Sequence, residues 1–303
     1  MRRILLTGVS GQVGWELHRT LMTLGEVIPA GKSVSNAALQ MDLANPDTIR
    51  RTIREVEPDL IVNAAAYTAV DKAESEPELA MAINGIAPGV MAEEALRLGV
   101  AIIHYSTDYV FDGTKKTPYT ESDKPDPQNT YGKTKLAGEQ AIQAVGVPHL
   151  ILRTSWVYGL RGKNFLLTML KLATEREELR VVDDQVGAPT CSRMIAEATA
   201  QILSQATQSV CGFLDSKGGL YHLSASGQTS WYDFAKAIFE HELEHSERKM
   251  QRLIAIASEH YPTAAKRPAY SLLNNHKLSN TFGLALPEWQ RTLELVLKAN
   301  SFI

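Results

Sequence analysis

The apolar run Ile4-Leu5-Leu6 passes directly into Thr7-Gly8-Val9-Ser10-Gly11-Gln12-Val13-Gly14, and this junction constrains the fold more than any other stretch. A short run with no polar residue suits a central parallel strand, buried on both faces. Gly8 lets the chain turn sharply, Gly11 lets backbone approach a pyrophosphate, and Gly14 lets a helix pack tightly on the strand. Val13, Leu17, Leu21 and Leu24 keep helical spacing, so the glycines open an amphipathic helix whose N-terminus faces the ligand. The junction predicts nucleotide binding, with Gly8, Ser10, Gly11, Gln12, Val13 and Gly14 as candidate cofactor-binding residues.

The strand–helix alternation continues. Glu26 to Ala30 reads as a second strand, and Leu39-Gln40-Met41-Asp42-Leu43 as the approach to another helix. Asp59-Leu60-Ile61-Val62-Asn63 is the next buried strand, and it ends in Ala64-Ala65-Ala66-Tyr67. Small residues there let a cofactor come close to the backbone, at the sheet edge where open α/β folds bind ligands. Val100 to Ser106 and Leu150 to Arg153 are two further strands. Beyond them the alternation weakens, although Gly219 to Leu223 is one more strand and a helix around Ile195 is expected to pack back on the first half. The expected architecture is α/β: a doubly wound parallel Rossmann sheet over residues 1–158, with residues 159–303 mainly a smaller, intertwined α/β substrate domain. A later segment, about 190–225, should return to the first domain.

Composition narrows the function classes. With 44% apolar and 21% charged residues the chain is that of an ordinary globular protein. Its net charge of −3, without a basic block, gives no support to nucleic-acid or anionic-membrane binding. No apolar run is long enough to span a bilayer. Cys191 and Cys211 are too few for a disulfide framework or a zinc site, so reduced thiols and a cytoplasmic location are expected.

Tyr131 and Lys135 are four residues apart at the start of a predicted helix, and therefore on one face. Alone, such a pair is a solvated helix face. Here it follows a nucleotide loop and Ser106-Thr107-Asp108 at the end of a strand, which makes it a candidate proton-transfer site. A phenol with an ordinary pKa of about 10 is a reluctant donor, and a neighbouring ammonium should lower it. No carboxylate lies between Val27 and Gln40, where NAD-specific sites carry one. With Lys32 and Ser33 available to a 2′-phosphate, NADPH is expected to be preferred and NADH accepted. Asp42, with Leu43, has two compatible readings, an adenine contact or a helix N-cap.

The spacing Gly8-x-x-Gly11-x-x-Gly14 is similar to that of extended short-chain dehydrogenase/reductases. Longer stretches are more specific: Asn63 to Glu74, Ser106-Thr107-Asp108-Tyr109-Val110-Phe111, Tyr131-Gly132-Lys133-Thr134-Lys135, Arg153 to Tyr158, Asp184-Gln185-x-Gly187-Ala188-Pro189-Thr190 and Arg267-Pro268. Together they resemble the dTDP-4-dehydrorhamnose reductase family from end to end. The resemblance implies reduction of a C4 keto group on a dTDP-sugar by NAD(P)H. It implies Thr107, Tyr131 and Lys135 as the catalytic trio, with Tyr131 and Lys135 also at the cofactor and Thr107 and Tyr131 also at the sugar. It adds Ala64, Ala65, Ala66 and Tyr67 to the cofactor site, and Asp108, Trp156 and Arg267 to the substrate site. Read on its own, Trp156 better suits core or rim packing. The glutamate that follows the aspartate in related dehydratases is Tyr109 here, which disfavours dehydration. An epimerase and a non-catalytic regulatory subunit are the other readings. Some relatives are dimers bridged by magnesium between glutamates; Glu16 matches the first, but Arg193 and Ala299 stand at the other two positions. No metal and a monomer or weak homodimer are therefore expected.

Overall fold

The apolar runs become seven parallel strands of one sheet: β1 (Arg3–Thr7), β2 (Glu26–Gly31), β3 (Leu39–Gln40), β4 (Leu60–Asn63), β5 (Ala101–Thr107), β6 (His149–Thr154) and β7 (Gly219–His222). Their order is β7-β6-β5-β4-β1-β2-β3, so it reverses between β1 and β4. In a doubly wound sheet that reversal opens the ligand crevice. The computed structural model describes residues 2–32, 39–241 and 248–300, with residues 299 and 300 as backbone only. Ser33 and the side chain of Ala299 lie outside the described residues.

Alternate residues of each strand enter different cores. Ile4, Leu6, Val62, Ile103 and Leu152 meet Leu17 and Leu21 of helix α1 (Gln12–Leu21) and Ile195 and Ile202 of a later helix, Ser192–Ser204. Leu5, Ile61, Ile102 and Ile151 meet Ile49 and Ile53 of α2 (Pro46–Val56), Met91 of α3 (Ala87–Leu98) and Ile142 of α4 (Thr130–Val145). Burial on both faces is why these strands read as unbroken apolar runs.

The stretch Leu39 to Leu43 differs from its sequence reading. Leu39 and Gln40 form the edge strand β3 beside Ala30 and Gly31. The helix begins only at Pro46, and its cap is Asn45, whose Oδ1 accepts from Asp47 N at 3.0 Å. Asp42 instead accepts from Ala44 N.

A third core gathers Tyr158, Leu166, Met169, Phe234, Ile238 and Trp289. Around it lie three two-stranded sheets: Val157–Tyr158 with Thr190–Cys191, Val186–Gly187 with Thr229–Ser230, and Glu178–Val182 with Arg252–Ile256. Among the described residues, no helix is long and apolar enough to cross a membrane.

Candidate active site

The turn after β1 is shaped for close approach. Gly8 has φ +76°, and a Cβ there would stand 2.6 Å from the backbone of Ala64 and Ala65. Gly11 caps α1 without any side chain, so the first-turn amides of Gln12, Val13 and Gly14 keep their unpaired donors for an anion. Gly8, Ser10, Lys32, Asp42, Leu43, Ala65 and Ala66 line a cavity of about 280 Å³ next to this turn. These features fit a dinucleotide. The side chains of three other members of the expected cofactor set have partners within the protein. The Val13 side chain packs on the core. Gln12 holds the loop after Tyr158, its Oε1 accepting from Asn164 Nδ2 at 2.9 Å. Tyr67 donates its hydroxyl to Glu76 at 2.7 Å. Lys32 lies 3.2 Å from Asp42, so the two charges flanking the cavity already pair with each other.

Helix α4 carries Tyr131 and Lys135 and is fixed at both its start and its flank. Asn129 caps it, with Oδ1 accepting from Gly132 N at 2.8 Å and Nδ2 donating to Lys266 O at 2.7 Å. A Cβ at Gly132 would fall 2.2 Å from Tyr109 O, so only glycine lets this turn lie against the segment after β5. Asn84 sits in a π-helical turn, Ala82–Ile86, and is buried. It clasps both backbone groups of Tyr67 and donates to Thr134 Oγ1 at 3.2 Å, tying α4 to the end of β4. Nothing in the sequence marked a π turn; Asn129 before a helix start was a readable cap signal.

The fold brings Tyr131, Thr107 and Asp108 together at the carboxyl end of β5. Burial pushes the Tyr131 phenol up to about 12, partly offset by a hydrogen bond with Thr107. Thr107 Oγ1 donates to Asp108 Oδ1 at 3.0 Å and accepts from Tyr109 N at 3.2 Å. Asp108 Oδ2 accepts from Ser155 Oγ at 3.0 Å. Burial raises the Asp108 carboxyl to about 6 although Ser271, Ser155 and Thr107 all donate to it.

Lys135 stands behind this group. Its Nζ donates to Tyr105 O at 2.6 Å and lies 3.1 Å from His104 Nε2. Burial lowers it to about 8, with Glu139 acting the other way. The sequence reading had Lys135 depressing the Tyr131 pKa. In this chain the phenol stands above its ordinary value, because Nζ is turned to the strand and the protein around the hydroxyl desolvates it.

Arg267 grips Asp71 through two bonds, at 2.6 and 3.0 Å, and its guanidinium also bonds Tyr109. Tyr109 meets Tyr131 edge to face at 5.8 Å, so Arg267 joins the site through one aromatic ring. Trp156 follows Ser155 with φ +45°, a conformation costly for a bulky residue. One face of its ring stacks on Trp231 at 3.5 Å, and a Cβ at Gly187 would meet its edge at 2.5 Å. Part of its surface is therefore packing, as the alternative reading allowed.

Comparison with known proteins gives consistent matches. The sequence fits the family described as "RmlD substrate binding domain" over residues 1–302. The dTDP-4-dehydrorhamnose reductase of Burkholderia thailandensis is 46% identical over 300 residues, covering 98% of each chain. That of Escherichia coli K12 is 48% identical over 288 residues, covering 95% of this chain and 94% of its own. Among solved structures, the dTDP-4-dehydrorhamnose reductase of Bacillus anthracis in complex with NADP superposes with a TM-score of 0.86 at 34% identity, covering 98% of this chain and 99% of the other. With a strand order, a glycine turn and a Tyr131–Lys135 helix all in keeping, the chain belongs to the RmlD substrate-binding-domain family.

Proposed function

We propose that this chain reduces the C4 keto group of dTDP-4-dehydro-6-deoxy-L-mannose to give dTDP-L-rhamnose. The observation that carries the reading is the half-buried Tyr131, its phenol set beside Thr107 and Asp108 at the strand end next to the glycine cradle. It is supported by the match, over nearly the full length, to relatives that bear the reductase name. A nicotinamide dinucleotide, when bound, supplies the hydride for C4. The first-turn amides of α1 would hold its pyrophosphate, Asp42 and Leu43 its adenine, and Lys135 its ribose hydroxyls.

Tyr131 gives the proton to the C4 oxygen. At neutral pH this phenol is fully protonated and so holds the proton to be given, although its raised pKa makes it a weaker acid than an ordinary phenol. Thr107 becomes a second donor to that oxygen when its hydroxyl swings from Asp108, which keeps Ser155 and Ser271. Asp108 would contact the sugar as Thr107 swings away, and the exposed part of Trp156 would pack against it. Arg267 aligns Tyr109 against the Tyr131 ring.

NADPH is the preferred cofactor in this reading and NADH is accepted; the NADP bound to the Bacillus anthracis relative supports it. The chain works in the cytoplasm as a monomer or weak dimer. Glu16 pairs with Arg19, and Arg193 with Glu197, so the surface where relatives bridge through magnesium carries guanidinium groups. The test of the function is NADPH oxidation on adding the freshly made keto-sugar nucleotide. No oxidation with that compound, alongside turnover of another sugar nucleotide, rejects the substrate; no oxidation with any keto-sugar nucleotide rejects the reaction.

A further inference from the structure

Three adjacent strands each place one polar side chain in the same row beneath Lys135. Register pairs Thr7 of β1 with Asn63 of β4, and Asn63 with His104 of β5. All three are buried, with 2%, 0% and 1% of their surface exposed. Thr7 Oγ1 lies 2.7 Å from Asn63 Oδ1, Asn63 Nδ2 lies 3.0 Å from His104 Nδ1, and His104 Nε2 lies 3.1 Å from Lys135 Nζ. The row thus runs from the lining of the cofactor cavity to the site lysine.

The polarity of this row is not free. The hydroxyl of Thr7 and the N–H of Ala65 both donate to Asn63 Oδ1, which turns the Asn63 NH₂ toward His104. His104 Nδ1 must then accept, its one ring proton sits on Nε2, and that N–H points at Lys135 Nζ. A neutral amine can accept it, but an ammonium has only protons to present. For the ammonium the row must run the other way, with a lone pair on Nε2, the proton on Nδ1 and Oδ1 of Asn63 facing it. The reversed amide has a partner as well. Its NH₂ can donate to Thr7 Oγ1, whose hydroxyl rotates, and Ala65 N also lies 3.4 Å from that oxygen. Both polarities therefore keep an acceptor for the Asn63 NH₂ and for Ala65 N, the Thr7 hydroxyl proton turning away from Asn63 in the reversed one.

We infer that Asn63 and His104 are positioning residues forming a reversible hydrogen-bond relay, which flips when Lys135 gains or loses its proton and so ties the charge of that lysine to the cofactor end of β1 and β4. Neither residue touches reacting atoms. His104 itself remains neutral, since burial and the nearby lysine hold it well below an ordinary imidazole. The other titratable groups around Lys135 are Tyr131 and Glu139 on its own helix, Arg153 of β6 holding Glu139 at 2.6 Å, and Asp108 after β5.

The relay concerns the same lysine as the proposed reaction, but its test uses no turnover, so either can fail alone. In the full chain with ¹⁵N-labelled histidine and lysine, NMR follows the His104 ring nitrogens and Lys135 Nζ from pH 6 to 10.5. The expected result is a tautomer exchange, with the proton on Nε2 at high pH and on Nδ1 at low pH, at the same midpoint as Nζ. A single tautomer throughout, or an exchange with a different midpoint, overturns the inference. Asn63→Asp gives His104 Nδ1 a partner that only accepts, and should raise the Lys135 midpoint by at least one pH unit. A folded variant with an unmoved midpoint also overturns it.

Discussion

The parallel sheet and the group of small sheets solve the same problem, burying apolar surface, by opposite means. In the sheet half, neighbouring strands other than the edge pair β2–β3 match over four to six residues in register, and Ile4, Leu5, Leu6, Leu60, Ile61 and Val62 are all fully buried. In the other half two of the three ladders are two residues long, and aromatic side chains take over: Trp156, Trp231, Phe165, Phe234 and Trp289 meet ring to ring in turn, some stacked and some edge to face. Long ladders give fixed positions, and side-chain stacks give an adaptable wall. Tyr131, Thr107 and Asp108 are positioned by the first and Trp156 by the second. Variants of the first group should therefore act on the chemical step, and variants of Trp156 on substrate affinity.

The largest effect is expected from Tyr131→Phe. Loss of the proton donor should lower kcat by about 10²–10⁴-fold while leaving NADPH affinity nearly intact. Steady-state kinetics together with a cofactor titration checks this. A weakened cofactor with near-normal kcat would place Tyr131 in binding and dissolve the contrast between the two halves.

Asp108→Asn tests how much stability the sheet half gives up for its site. The folded carboxyl titrates near 6 against an ordinary 3.8, so the folded state binds the proton more tightly than the unfolded chain. Stability from this group is present below about pH 4 and is lost as pH rises through 6. A shift of that size corresponds to roughly 3 kcal/mol at neutral pH. The amide variant should unfold at higher urea than the parent at pH 7.5 and at nearly the same urea at pH 4, while its activity falls. An equal midpoint at both pH values would mean that the three donors already compensate the buried charge.

Trp156→Ala should raise KM for the sugar nucleotide by about ten-fold, with a smaller change in kcat and none in KM for NADPH. The lost stack on Trp231 adds about 1 kcal/mol of destabilisation, and alanine at φ +45° adds no backbone strain beyond that of tryptophan. Equal damage to both KM values would assign the ring to packing alone.

The same contrast explains what the sequence could reveal. Strands buried on both faces leave unbroken apolar runs, so β1, β4, β5 and β6 were legible, as was the glycine turn. Strand β3 was not, because two residues, Leu39 and Gln40, carry no pattern. The short ladders are hidden for another reason. Val157 finds its partner at Thr190, and Val186 at Ser230, so no local signal marks them. The Thr107, Tyr131 and Lys135 positions followed from spacing and resemblance. His104 and Asn63 did not, since each sits inside an apolar run and gains its meaning only from register across strands. The π turn at Asn84 is equally silent, being a matter of backbone packing against α4.

The smallest predicted effect concerns Lys32, which lies on neither side of the contrast but at the outer edge of the sheet, where β2 meets β3. Its ammonium is 3.2 Å from Asp42, the one acidic residue among those described as lining the cavity, and is largely exposed. In the sequence it was a cation waiting for a 2′-phosphate; in the structure it also masks a carboxylate that would repel that phosphate. Lys32→Ala removes both favours to NADPH at once, and neither affects NADH in the same way. An exposed pair is worth about 0.2–1 kcal/mol, so the NADPH-to-NADH ratio of kcat/KM should fall by roughly two- to five-fold. Asp42→Asn added to Lys32→Ala should recover part of that ratio by removing the repulsion. Cofactor titrations on the single and double variants separate the two contributions. If the double variant is no better than the single one, Lys32 acts on the phosphate alone, and if the single variant keeps the parent ratio, the preference for NADPH is set by other residues.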